Sequence, residues 1–222
     1  MKTFEEFIKL NEAPSWASVA DKYEKPGANK TLYNAIIKSK YKPIKINGIE
    51  FHKYVDGSTV YYCMIDDVNE KINYVSKFVI NNGELRQHYV WKDAKTNEYK
   101  KIAQTLFEEL LKTYNITSST NQTIVGNKLW VSLVKHFSGK NHSCSIRSTK
   151  PDPITMKYQE MEIPKGNVEA TMKSFHGAKP SHKPNDDTKD AGELEILGKA
   201  TSEKYSEYIY VIYKSGVHPK RI

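Results

Sequence analysis

Few side chains in this sequence stand where their types could do chemistry. Cys144 lies two residues from His142, but two positions apart on a strand gives the pair a shared face. Thiol catalysis needs an aligned nucleophile and base instead. Cys63 has no such neighbour. His176 and His182 share one stretch with Asp186, Asp187 and Asp190, at a spacing that fits neither a zinc site nor a calcium loop, so no metal is expected. Gln122-Thr123 is a polar pair at a predicted helix start. It either faces a cofactor or substrate groove, or it sits in a turn where Thr120 or Asn121 caps the helix and Gly126 allows close packing. Tyr61, Tyr62, His88, Tyr89 and Trp91 can line a cleft, but with period-2 alternation only some of them share a face. Lys38, Lys40, Lys42 and Lys45 interleave with Tyr41, a pattern suited to holding phosphates without reading bases.

These residues hang on a unit running from Glu84 to Phe137. It reads as a strand (85–91), a helix (101–114), a strand (115–119) and a second helix (123–137). Ile102, Leu106, Leu110 and Tyr114 lie on one stripe of the first helix, and Val125, Leu129, Leu133 and Phe137 on one stripe of the second. Two apolar stripes beside strands must be buried against a sheet, so this unit forms the core of the domain. Ahead of it, residues 31–40 read as a helix capped by Asn29 or Thr31. Three strand-like runs follow, at 44–55 around Asn47-Gly48, at 58–67 after Asp56-Gly57, and at 74–80 before Asn81-Asn82-Gly83. Behind it, short strands at 142–148 and 156–163 and a helix at 166–175 are expected. Residues 177–190 are rich in Pro, Lys and Asp and read as a mobile loop. Strand character returns at 193–198 and at 205–214, and the second of these is expected to close the sheet. These elements fit the core of an α/β or α+β domain, and the expectation taken is α+β with a mixed, mostly antiparallel sheet flanked by helices.

The chain has 222 residues, a formal charge of +8 and a pI near 9.2. Such a balance attracts polyanions, or belongs simply to a soluble basic protein. Only three of the basic residues are Arg (Arg86, Arg147 and Arg221), which disfavours base reading. Two widely separated cysteines imply buried free thiols in a reducing compartment. No run reaches the ~18 apolar residues of a membrane span, and no secretory signal is expected at the N-terminus.

Residues 1–12 (MKTFEEFIKLNE) form an amphipathic segment with Phe4, Phe7 and Ile8 on one face, and Ala13-Pro14-Ser15 then opens a linker. Twelve residues are too few for a stable lone helix, so the segment needs a partner surface. Met1-Lys2-Thr3-Phe4-Glu5-Glu6-Phe7, with Leu10-Asn11-Glu12 and Ala13 behind it, resembles the capsid-targeting peptide of internal head proteins from T-even-type tailed phages. The resemblance implies a flexible leader (1–12) that binds the prohead scaffold and is cut by the prohead protease at Leu10, Asn11, Glu12 and Ala13. A linker (13–30) and a folded domain (31–222) follow. It further implies a body packaged with DNA inside the phage head, then delivered to the host cytoplasm to bind a host protein or nucleic acid, against host defence or for host takeover. Losing two lysines and three glutamates with the leader takes the formal charge from +8 to +9. The competing expectation is an ordinary first helix packed on the domain.

Ser118-Ser119-Thr120-Asn121-Gln122-Thr123 with Gly126-Asn127-Lys128-Leu129-Trp130 is similar to the central segment of GNAT-superfamily acetyltransferases. That likeness implies a GNAT-like sheet and, in an active member, acetyl-coenzyme A held at a helix N-terminus. The cofactor-binding candidates are then Tyr99, Lys100, Lys101, Ile102, Gln122 and Thr123, and the candidate bases are Glu84 and His88. The pattern departs where two glycines are expected, since Glu98-Tyr99-Lys100-Lys101-Ile102-Ala103 stands there, and Cβ atoms obstruct a diphosphate cradle. The expectation is a retained fold that is non-catalytic and holds no cofactor. The alternatives are an acetyl-coenzyme A-dependent N-acetyltransferase and a basic, DNA-associated packaging protein.

Overall fold

The structure is a computed structural model and describes residues 26–93, 101–175, 203–205 and 207–219. The chain enters through α1 (Pro26–Ile37) and a meander of β1 (Ile44–Ile46), β2 (Ile49–Asp56), β3 (Thr59–Asp66), β4 (Lys71–Asn81) and β5 (Glu84–Lys92). Next come α2 (Ile102–Leu110), β6 (Asn115–Thr117), β7 (Asn121–Thr123) and α3 (Ile124–Gly139). The remainder is β8 (Cys144–Pro151), β9 (Tyr158–Glu162), a short 3-10 turn (Lys165–Asn167), α4 (Val168–Phe175), β10 (Glu203–Tyr205) and β11 (Tyr208–Ile212).

Nine strands make one open sheet in the order β1-β2-β3-β4-β5-β6-β11-β8-β9, antiparallel throughout except for the β5–β6 pair. The α+β class with a mostly antiparallel sheet is therefore as expected. The hairpin turns follow their sequence signals. Asn47 and Gly48 take φ of 49° and 81°, and Asn82 and Gly83 take 49° and 77°, the paired positive values that a two-residue hairpin turn requires. A second, two-stranded sheet joins β10 to β7.

The main core lies between one sheet face and α2 and α3. Phe107 is its hub, with ring centroids 5.9 Å from Phe78, 5.8 Å from Trp130 and 6.4 Å from Phe137. On the opposite face α1 buries Tyr33 and Ile36 against Cys63, Val75 and Trp91. Alternation along β3 explains the split, because Val60 and Tyr62 face the main core while Tyr61 and Cys63 face α1. Both cysteines are free and buried, and burial raises both thiol pKa values, that of Cys144 to about 11.

Three expectations are corrected. First, α1 starts at Pro26 and not at 31, inside what was expected to be linker. Proline suits the first helical turn, where its missing N–H leaves no bond unmade. Asn29 is no cap either: it is buried, accepts from Ile72 N (2.7 Å) and donates to Ile72 O (3.1 Å), tying α1 to β4. Second, β11 does not close the sheet. It is inserted between β6 and β8, which buries Ile209, Tyr210, Val211 and Ile212. Third, α2 ends at Leu110, and Leu111 to Thr113 form turns that carry the chain into β6. The leader, the cleavage residues Leu10 to Ala13, the loop at 177–190 and the strand expected at 193–198 lie outside the described residues.

Candidate functional site

Strand β5 supplies the candidate bases. Its register against β4 pairs Tyr89 with Lys77 and Gln87 with Phe78, leaving His88 between them as the extra residue of a β-bulge. Leu85 joins the main core, and Gln87 is buried, its Nε2 donating to Ser76 Oγ at 3.3 Å. Glu84, Arg86 and His88 are titratable side chains of the strand.

Glu84 is held by a fork. Arg147 on β8 donates from Nη1 to both carboxylate oxygens (3.1 and 2.9 Å) and from Nη2 to Oε1 (3.1 Å). The same guanidinium donates to Tyr213 OH at 3.0 Å and, through Nε, to Glu160 Oε1 at 3.3 Å. Glu160 also accepts from the hydroxyls of Ser145 and Tyr213. Burial alone would weaken the charge on Arg147, but these hydrogen bonds raise its pKa overall. Tyr213 rises to about 12, from burial first and then from its bond to Glu160. A carboxylate so engaged joins β5 to β8, and its lone pairs are committed to the guanidinium.

His88 meets the opposite condition. Burial, then the charges of Lys77 and Arg86, lower its pKa to about 4. At pH 7 it is neutral, and a base that weak captures a proton poorly, since general bases work best with a pKa near the operating pH. Beside it, Lys77 Nζ lies 5.8 Å from the Tyr61 ring centroid and 5.7 Å from that of Tyr89. Of the five expected cleft residues, Tyr62 points the other way into the main core, and Trp91 is buried beneath α1.

The cofactor candidates are scattered in role. Tyr99 and Lys100 lie outside the described residues, as does the side chain of Thr123. Ile102 is buried in the core between α2 and the sheet. Gln122 is buried and donates to Ser119 O at 3.0 Å, while Asn127 Nδ2 donates to Gln122 Oε1 (3.4 Å) and to Tyr210 OH (3.1 Å). Tyr210 OH in turn donates to Met172 O at 2.9 Å. Gln122 thus joins a buried polar network at the entry to α3.

Lys101 stands at the N-cap of α2 in the left-handed region (φ 77°, ψ 15°), with no side-chain capping bond. An L side chain there costs about 1 kcal/mol that glycine avoids. Lys101→Gly is therefore expected to stabilise the fold by about 1 kcal/mol, read as a higher urea midpoint at unchanged m-value. An unchanged or lower midpoint would refute the strain.

Sequence reasoning missed Arg147, Glu160, Tyr213 and Ser145. Their one signal was an Arg between Ile146 and Ser148 in a strand, a charge that had to find partners. Among the described residues no group of His, Cys, Asp and Glu could hold a metal, the Cys144 thiol reaches the His142 carbonyl (3.9 Å) and not its ring, and no helix is long and apolar enough to cross a membrane. No family model matches the chain, and no curated protein or solved structure matches it.

Proposed function

We propose that this chain is an internal head protein of a T-even-type tailed phage. Residues 1–12 address it to the prohead scaffold, the prohead protease removes them after Glu12, and the basic body is packaged with DNA and delivered to the host cytoplasm. There it acts by binding a host protein or nucleic acid, against host defence or for host takeover. The observation carrying this reading is the segment Met1 to Ala13: an apolar face of Phe4, Phe7 and Ile8, a Leu-Asn-Glu tripeptide, and an immediate change to Ala13-Pro14-Ser15.

The body is a GNAT-like scaffold without the transferase's chemistry. Parallel pairing of β5 with β6 across α2 supports the likeness, as does the left-handed backbone at Lys101, a conformation suited to glycine. Against catalysis stand the Glu84–Arg147 fork, the weakly basic His88 and the inward-turned Gln122. An acyl transfer needs a base placed on the amine; Glu84 is committed to Arg147, and His88 is too weak a base.

N-terminal sequencing of the protein from purified mature virions is the test. The expected first residue is Ala13. An intact Met1 in particles, or absence from particles, overturns the reading.

A further inference from the structure

The chain's positive charge is distributed unevenly. Lys30, Lys71, Lys112, Lys135, Lys140 and Lys150 each sit against a carboxylate, as does Arg147. Residues 38–55 concentrate lysines without such a partner in one stretch. Five lysines (Lys38, Lys40, Lys42, Lys45 and Lys53) face one glutamate, Glu50, so this stretch carries a net +4, half of the formal +8. Glu50 lies 3.9 Å from Lys45 and 3.3 Å from His52 Nε2. The other four lysines have no carboxylate partner among the described residues.

The fold gathers these cations at one end of the molecule. Lys38 and Lys40 follow the last turn of α1, Lys42 precedes β1, and Lys45 and Lys53 lie on the β1–β2 hairpin at the sheet edge. Lys38, Lys40, Lys42 and Lys45 are exposed, and Lys53 is half-buried. Tyr41 organises the centre, with Lys40 Nζ 5.8 Å and Lys53 Nζ 5.4 Å from its ring centroid. Ser39 Oγ accepts from Tyr41 N at 3.2 Å and donates to Lys53 O at 3.4 Å, fixing the connecting turn to β2.

We infer that the α1–β1–β2 edge is a nucleic-acid-binding surface that grips the phosphodiester backbone without reading sequence. Lysine ammonium groups suit phosphates as point charges, and no arginine stands in the patch to make bidentate contacts to guanine. Lys40 and Lys53 both lie against the Tyr41 ring, which gathers their charges on one side chain. This deepens the packaging reading by naming where DNA lies, and it rests on that reading only for the occasion of contact.

The test uses the full chain and anisotropy of labelled 20-mer DNA, duplex and single-stranded, each in two unrelated sequences. Neutralising four to five phosphates predicts log K against log salt with a slope of about −4 for duplex and about −3 for single strands, equal between sequences. The variant Lys38→Gln, Lys40→Gln, Lys42→Gln should lose about three units of duplex slope and at least tenfold in affinity at 0.15 M salt. Lys92→Gln, Lys128→Gln, Lys157→Gln makes the same charge change at exposed sites elsewhere and should bind within about twofold of the parent. Equal losses in the two triple variants overturn the assignment, as does an absence of binding by the parent. Polyglutamate competing as well as DNA at equal charge also overturns it, since the patch would then fit acidic proteins. Virion sequencing can fail while these results hold, and the reverse, so the two readings fail separately.

Discussion

Replacing Arg147 by methionine is expected to lower the unfolding free energy by about 3 kcal/mol. The methylene stem is roughly kept, so the loss isolates the guanidinium. Without it Glu84 and Glu160 remain on one side of the sheet with their main cation gone, and Tyr213 and Ser145 can satisfy only the second of them. Breaking a fully buried pair costs about 3–5 kcal/mol. The lower end applies because Arg147 and Glu84 keep 21% and 24% of their side-chain surface. Urea unfolding reads the change as a lowered midpoint at constant m-value. A second variant separates charge from packing: with Glu84→Gln and Glu160→Gln added, the two stranded charges vanish and at least half of the loss should return. A loss under about 1 kcal/mol would show the fork to be no more than a solvated surface pair.

Acid should destabilise this protein through His88 before its carboxylates titrate. Its pKa is about 4 in the fold against 6.5 for the free side chain, from burial and from Lys77 and Arg86. Between those values the unfolded chain binds a proton that the folded chain does not. Stability is therefore complete above about pH 6.5, falls as the pH drops, and has lost the whole of this contribution by about pH 4. Each pKa unit corresponds to about 1.4 kcal/mol. Discounted for the ring's partial exposure, the expected loss between pH 7 and 4.5 is about 2 kcal/mol. His88→Gln removes the titration and should make the pH 7 to 4.5 difference smaller by that amount. Glu108 tests the assignment from the other side. Burial opposes its ionisation, but hydrogen bonds from Lys140 and His136 outweigh that and lower its pKa, so its contribution is lost only on further acidification. If parent and His88→Gln lose stability equally over this range, the buried imidazole is not the cause.

Both predictions concern contacts that sequence order hides. Glu84 and Arg147 are 63 positions apart, and Glu160 and Tyr213 are 53 apart. No local pattern pairs them, because side chains meet across a sheet according to strand order, and strand order here is rearranged by the late insertion of β11. The bulge at His88 escaped for a related reason. An extra residue in a ladder shows only against its partner strand, whereas Leu85 to Trp91 by itself alternates without a visible fault. The start of α1 inside the expected linker (13–30) escaped because Pro-Gly, which often ends an element, can also open a helix. The Lys38–Lys45 cluster was visible as a run, but that Lys53 joins it around Tyr41, and that Glu50 is the one carboxylate paired with it among the described residues, became evident in the fold.

What the chain's order of residues settled alone is whatever depends on near neighbours. The two stripes of α2 and α3, the Asn-Gly turns with their positive φ, and the α+β class follow from periodicities of 3.6 and 2 and from glycine's freedom at tight turns. The folded arrangement alone decided which charges are buried together, which base is silenced, where the last strand enters, and which lysines stay unpaired. Those outcomes depend on distances between residues far apart in the chain. Desolvation and Coulomb interaction act through space and take no account of sequence separation.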